Sequence, residues 1–358
     1  MTELFGAYIH WPYCLSKCPY CDFASRSESP MDENTLFHTY RRDILFFKEH
    51  TTNRTLTSVF FGGGTPSLMS VQLAEQLLKE LNHHFAFAPD IEITLEANPD
   101  AITLVKMKAF RAIGINRLSL GVQSMNEAGL KQLGRRHSLK TALTQIQNAL
   151  DVFQNVNIDL IYGRPNQTRT DWQKELDAAL SLNLPHYSCY QLTIEENTPF
   201  ARQKLAVADD ETARALYLDT HARMAKNNTP QYEVSNYARS GFECRHNLTY
   251  WLGGDYLGIG PAAHGRLNHL ASTNQRFPEH WIKHLPTLET LTASERETEK
   301  LMMHLRLLNH GYPIQNLPPQ GVQTALQNHW IIQKDNMIFP TLEGTLLLNS
   351  LILLLMPT

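Results

Sequence analysis

Short apolar runs rich in β-branched and aromatic residues recur along the chain: AYIHW from Ala7, SVFFGGG from Ser58, IEITLEANP from Ile91, RLSLGVQS from Arg117, VNIDLIYG from Val156, HYSCYQLT from His186 and QYEVSNY from Gln231. Each stops at Gly, Pro, Asn or Ser, as buried strands do. Between them, apolar residues three and four apart predict helices over residues 35–49, 71–85, 104–112, 139–153 and 171–182. Strand and helix alternate, which predicts an α/β fold with a parallel sheet and crossover helices. About six such units in about 220 residues suit a partial (β/α)6, TIM-like barrel better than a flat doubly wound sheet, although the alternation itself fits both. In either fold, chemistry gathers at the C-terminal ends of the strands. Those ends carry Gly62, Gly63, Gly64, Thr65, Glu96, Asn98, Gln123, Asp159 and Tyr190.

Past residue 270 the strand rhythm fades. Helical patterns over 280–291 and 294–309, followed by a short mixed tail, predict a small, mainly helical C-terminal domain at 271–358 behind a larger domain at 1–270. A chain of 358 residues is long enough to need two cores.

Composition narrows the function classes. The chain is 42% apolar and 19% charged, which is ordinary for a globular protein. A net charge of -3 points to no polyanionic partner, and the 32 Lys and Arg are scattered, so nucleic acid is not expected. MTELFGAYIHW lacks the basic start and apolar run of a secretory signal, so a cytoplasmic location with reduced thiols is expected. The apolar segment at 346–356 is broken by Asn349 and Ser350 and is too short to span a bilayer; it reads as a buried C-terminal element.

Three of the five cysteines, Cys14, Cys18 and Cys21, stand within eight positions, in a stretch holding Pro12 and Pro19 directly after the first predicted strand. Thiolates this close can share one soft metal centre. Structural zinc prefers four ligands in two separated pairs, and Cys189 and Cys244 are isolated. An odd cysteine count in a reducing compartment disfavours a disulfide. An iron–sulfur cluster usually takes four cysteines, so three on one loop leave an iron open to a small molecule. Spacing alone favours the cluster over zinc without deciding between them.

The spacing of these cysteines, with Tyr20 before the third, resembles the radical S-adenosylmethionine (SAM) family. FFGGGTPS, RLSLGVQS, LGRRH and NIDLIYG are similar to the branch that contains oxygen-independent coproporphyrinogen III oxidase and a haem chaperone. The resemblance runs from Tyr8 into the C-terminal tail. It implies a partial barrel of radical SAM type and a 4Fe-4S cluster on Cys14, Cys18 and Cys21, whose fourth iron is chelated by SAM. It also implies that Gly62, Gly63, Gly64 and Thr65 face the SAM ammonium, that Glu96 pairs with a cation or with ribose hydroxyls, and that Arg135 meets the SAM carboxylate. Gln123 and Asp159 match the same pattern, and Tyr8 is implied near the sulfonium. In enzymes of this family an electron from the cluster cleaves the sulfonium C–S bond.

Within the branch, the oxidase has a fourth cysteine two residues after the third, where this chain has Phe23, and a longer arm ahead of the cluster loop, where this sequence has seven residues before Tyr8. Both features point away from oxidative decarboxylation in porphyrin metabolism, the alternative activity, while SAM cleavage stays open. The chaperone reading implies haem as a further ligand and haem-acceptor proteins as partners, some of them at the membrane. It leaves the oligomeric state open, a dimer included. RHNLTYW (Arg245–Trp251) matches the signature of the chaperone branch, making His246 the first candidate haem ligand, with Tyr250 and Trp251 beside the macrocycle and Cys244 as a thiolate alternative. GGDYLGIGPAAHG, over residues 253–265, resembles the family's loop at the active-site end of the barrel; it has no Lys where a phosphate-binding loop needs one.

Overall fold

The computed structural model describes residues 4–51 and 53–356. Twelve strands form one sheet: β1 (Phe5–Trp11), β2 (Thr55–Gly63), β3 (Ala86–Ala97), β4 (Arg117–Gln123), β5 (Asn155–Tyr162), β6 (His186–Gln191), β7 (Gln231–Glu233), β8 (Asn236–Ala238), β9 (Asp255–Ile259), β10 (His264–Leu267), β11 (Leu270–Thr273) and β12 (Thr287–Thr290). They lie in the order β12-β11-β10-β9-β1-β2-β3-β4-β5-β6-β8-β7. From β9 through β1 to β6 every neighbouring pair is parallel, and the strands added at both edges are antiparallel. The edge strands β12 and β7 do not pair with each other, so the barrel is partial. The six expected βα units are present, and β9 adds a seventh parallel strand.

The outer face of this sheet is covered by the crossover helices, as a parallel sheet requires. Ile9, Val59, Phe61, Leu95, Leu118, Leu120, Ile158 and Leu160 pack into one core with the crossover helices. The helices start where the sequence offers a cap. Ser70 accepts from Leu73 N at 3.0 Å and opens Val71–His84, which buries Leu73, Leu77 and Leu81; Ser138 accepts from Thr141 N at 3.1 Å and opens Leu139–Val152, which buries Ala142, Ile146 and Ala149. The faces turned inward carry polar residues instead, and these line the site.

Three expectations change. QYEVSNY is a hairpin of two short antiparallel strands, β7 and β8. Residues 280–291 are not a helix: Pro278–Trp281 is one turn, Pro286 cannot continue it, and the Thr-rich stretch that follows pairs as β12 against β11. The glycine-dense stretch at 253–265 is largely strand β9 and the start of β10. Gly258 packs so near the backbone of His264 that a Cβ would sit 2.1 Å from its oxygen, which explains the glycine there.

The large sheet thus continues past residue 270 to Thr290. A second core follows it, built from helices Ala293–His304, Pro319–Gln327 and Leu348–Leu355 and from a small sheet of β13 (Tyr312–Pro313), β14 (Ile331–Lys334) and β15 (Met337–Pro340). Leu301, Leu305, Val322, Ile338, Leu351 and Leu355 fill it. The apolar C-terminal segment is therefore a core helix, and among the described residues no helix is long and apolar enough to cross a membrane.

Candidate cluster and SAM site

The loop that leaves β1 carries the three cysteines and is closed on itself by backbone bonds. Arg26 N donates to Pro12 O and Cys14 N to Arg26 O, both at 2.9 Å, and Cys21 N donates to Cys18 O at 3.1 Å. Lys17 Nζ ties the loop further through Phe23 O at 2.8 Å. Cys14, Cys18 and Cys21 are all partly exposed and line one cavity of about 550 Å³ at the C-terminal ends of the parallel strands. Burial, outweighing the backbone bond from Phe23, pushes the Cys21 thiol up to about 11. The thiols do not converge on a single point; among the described residues no group of three or more His, Cys, Asp or Glu side chains is placed to hold one metal ion. A cubane cluster, by contrast, offers separate iron corners.

Against this loop stands the glycine turn at the end of β2. Gly64 N donates to Trp11 O at 2.7 Å and Thr65 N to Tyr13 O at 2.8 Å, so the turn grips the root of the cysteine loop. Gly63 has φ 111°, a region that disfavours side chains, and a Cβ on Gly64 would lie 2.6 Å from Tyr13 O. Gly63, Gly64 and Thr65 line the cavity; Gly62 does not, because it packs against the Tyr8 ring, 2.7 Å from where its Cβ would be.

Glu96, at the end of β3, accepts from Gly63 N at 3.1 Å. Its carboxyl is pushed up to about 8, first by burial and then by the Asp159 charge. Two residues on, Asn98 joins two walls: its Nδ2 donates to Thr65 Oγ1 at 2.9 Å and its Oδ1 accepts from Arg135 Nη2 at 2.5 Å. Arg135 also donates to Gly121 O at 2.8 Å, to Cys18 Sγ at 3.2 Å and to Tyr20 at 3.4 Å, while its Nε has no partner among the described residues. Gln123 ends β4 with φ 73° where the ladder to β5 shifts register, and it turns into the cavity. Asp159 accepts from Asn157 Nδ2 at 2.8 Å and its carboxyl is raised by burial.

Tyr8, Phe60, His246 and Tyr250 wall the deeper part. Tyr8 stacks between the cavity and Phe60 with ring centroids 6.2 Å apart, and His246 lies 5.1 Å from Phe60. Both His246 nitrogens are engaged, Nδ1 with Ser58 Oγ at 2.9 Å and Nε2 with the Tyr250 hydroxyl at 2.6 Å. Burial, then Arg117, lowers its pKa to about 3, so the ring is neutral. Trp251 lies outside the cavity wall, beneath Arg306 of the second core at 5.6 Å. Cys244 is buried behind the wall, where its thiol contacts Glu92 Oε1 at 3.4 Å and burial raises it to about 12.

Of the candidate residues, Tyr8, the three cysteines, Gly63, Gly64, Thr65, Glu96, Gln123, Arg135, Asp159, His246 and Tyr250 line this one cavity, and Gly62 and Trp251 do not. Arg117, Ser119, Asn157, Ser188 and Asn236, which were not among the candidates, line the same cavity. The signal was available: in RLSLGVQ the polar and glycine positions alternate with leucine and valine, which sends Arg117, Ser119, Gly121 and Gln123 to one face.

These features fit a cluster with SAM. The donors are three accessible thiols, the cradle opposite them is one a Cβ would fill, and a buried guanidinium keeps an unpaired Nε beside Cys18. Such a fold and site define a radical SAM protein. A family model for the radical SAM superfamily matches residues 8–179. The chain is 36% identical to the "Heme chaperone HemW" of Haemophilus influenzae and 34% identical to that of Escherichia coli, each over 96% of both chains. It belongs to the radical SAM superfamily and, within it, to the family of these HemW proteins. A solved structure, coproporphyrinogen III oxidase (HemN) from Escherichia coli, superposes with a TM-score of 0.84 over 99% of this chain and 90% of that one at 20% identity, which shows the shared fold.

Proposed function

We propose that this protein is a haem chaperone built on a radical SAM barrel, with haem as cargo that it passes to acceptor proteins. The observation that carries this reading is end-to-end similarity, at 34–36% identity, to proteins named heme chaperone. In this reading Cys14, Cys18 and Cys21 hold a 4Fe-4S cluster. Gly63, Gly64 and Thr65 take the amino end of SAM, Arg135 its carboxylate, and Glu96, Gln123 and Asp159 its ribose side. When bound, the cluster supplies an electron that can cleave the sulfonium. The chain's own contribution is orientation: Asn98 and Gly121 fix the Arg135 fork, and the glycine turn fixes the cysteine loop. Phe23, 59% exposed at the cavity mouth, stands where the oxidase branch has its fourth cysteine, which supports cargo handling over decarboxylation.

His246 is neutral, as an axial ligand must be, but would have to release the Tyr250 hydroxyl to reach iron. Anaerobic reconstitution followed by two assays tests the proposal. A stable haemin absorbance band without decarboxylation of coproporphyrinogen III is expected; decarboxylation without a band would reverse the choice. The same band in His246→Ala decides whether this imidazole or another group meets the haem.

A further inference from the structure

Below the level of Glu96 and Gln123 the cavity continues down the inner face of β4. At about 3.3 Å per residue, Arg117 lies roughly 20 Å along the strand from Gln123. It is 2% exposed, and among the described residues its Nε has no hydrogen-bond partner and its guanidinium forms no ion pair. Glu92 and Asp159 lie near enough for their charges to favour its cationic form, but among the described residues neither pairs with it: Glu92 Oε1 takes His246 N at 3.2 Å and the Cys244 thiol, and Asp159 takes Asn157. His186 and His246 are both held neutral, by burial first and by Arg117 second. Around Arg117 the cavity wall is polar. Ser188 Oγ is 3.1 Å from Asn157 Oδ1 and 2.7 Å from Asn236 Oδ1, and Asn157 Nδ2 donates to Ser119 Oγ at 2.7 Å.

A desolvated cation without a partner is costly to keep, and a guanidinium fork matches a carboxylate in plane and spacing. We propose that this floor is a carboxylate subsite, adjoining the SAM level through Asp159, in which Arg117 forms a two-pronged pair with the carboxylate of an organic acid and Asn157, Ser188 and Asn236 bond its neighbouring polar atoms. The carboxylate comes either from a free acid or from the propionate of a porphyrin; only the second source rests on the proposed haem function.

The test uses cluster-loaded full chain, with ¹³C-labelled propionate followed by saturation-transfer NMR and haemin followed by absorbance. Wild type is expected to bind propionate, Arg117→Met to lose at least about nine-tenths of the signal, and Arg117→Lys, which keeps charge but not the fork, to fall in between. Displacement of propionate by haemin but not by its dimethyl ester assigns the carboxylate to a porphyrin, and no displacement by either assigns it to a free acid. Equal propionate signals in wild type and Arg117→Met, or none in wild type, overturn the subsite. If circular dichroism shows Arg117→Met unfolded, an unchanged signal in Arg117→Lys overturns it instead. Propionate binding without haemin binding removes the haem function and leaves the subsite; haemin binding without propionate binding does the reverse.

Discussion

Glu96 holds a proton that SAM would have to displace, and this gives the protein a pH dependence of known sign. The folded-state pKa is raised from 4.5 to about 8, chiefly by burial and secondarily by Asp159. A carboxyl raised on folding stabilises the fold fully below pH 4.5, and that stability is lost as pH climbs through about 8. The rise sets a ceiling of about 5 kcal/mol. The carboxyl faces the cavity, and water reaching it there reduces the expected effect to about 1–2 kcal/mol. At about 2 °C per kcal/mol for a chain of this size, cluster-free wild type should lose roughly 2–4 °C more in Tm between pH 4.5 and pH 9 than Glu96→Gln, which cannot ionise. Scanning fluorimetry of both proteins in matched buffers measures it. Parallel pH profiles, or a steeper one for Glu96→Gln, would refute the burial argument. Calorimetry of SAM binding to the cluster-loaded protein at pH 7 should also show proton release, because ribose hydroxyls donating to Glu96 favour its ionised form.

Gly64→Ala pushes a methyl into the Tyr13 carbonyl and strains the two backbone bonds that clasp the cysteine loop. A loss of about 2–4 kcal/mol and a sharp fall in iron incorporation are expected, and an iron content equal to wild type would contradict the clasp. Asn98→Ala removes one anchor of the Arg135 fork and the partner of Thr65. The SAM dissociation constant, read by equilibrium dialysis, should rise about tenfold, equivalent to about 1.4 kcal/mol, with the visible spectrum of the cluster unchanged. His246→Gln, which can retain one of the two bonds to Ser58 and Tyr250, should be about 1–2 kcal/mol more stable to urea than His246→Ala; equal midpoints would mean these bonds contribute nothing.

How far the sequence carried this reading depended on whether a signal was local. The βα alternation gave the parallel sheet because the parallel strands are short runs with an apolar covered face and the main crossover helices start at a Ser, Thr or Asp cap. The cysteine spacing and the glycine triplet marked the site because their neighbours in sequence are also their neighbours in space. Antiparallel edge strands were not legible. β10 to β12 are four residues each, too short to show a period of their own, and β11 meets β12 only across residues 274–286. The same holds for Asn98, whose bridging role needs Thr65 and Arg135 in place, and for Trp251, whose place beside Arg306 depends on a residue far along the chain.

Iron and sulfide analysis of anaerobically prepared protein, with its electron paramagnetic resonance after reduction and on adding SAM, bears most directly on the central claim. About four irons and four sulfides per chain are expected, with a reduced-cluster signal that shifts when SAM reaches the open corner and that Cys14→Ser, Cys18→Ser and Cys21→Ser each abolish. Zinc in place of iron, or a cluster whose signal ignores SAM, would contradict it.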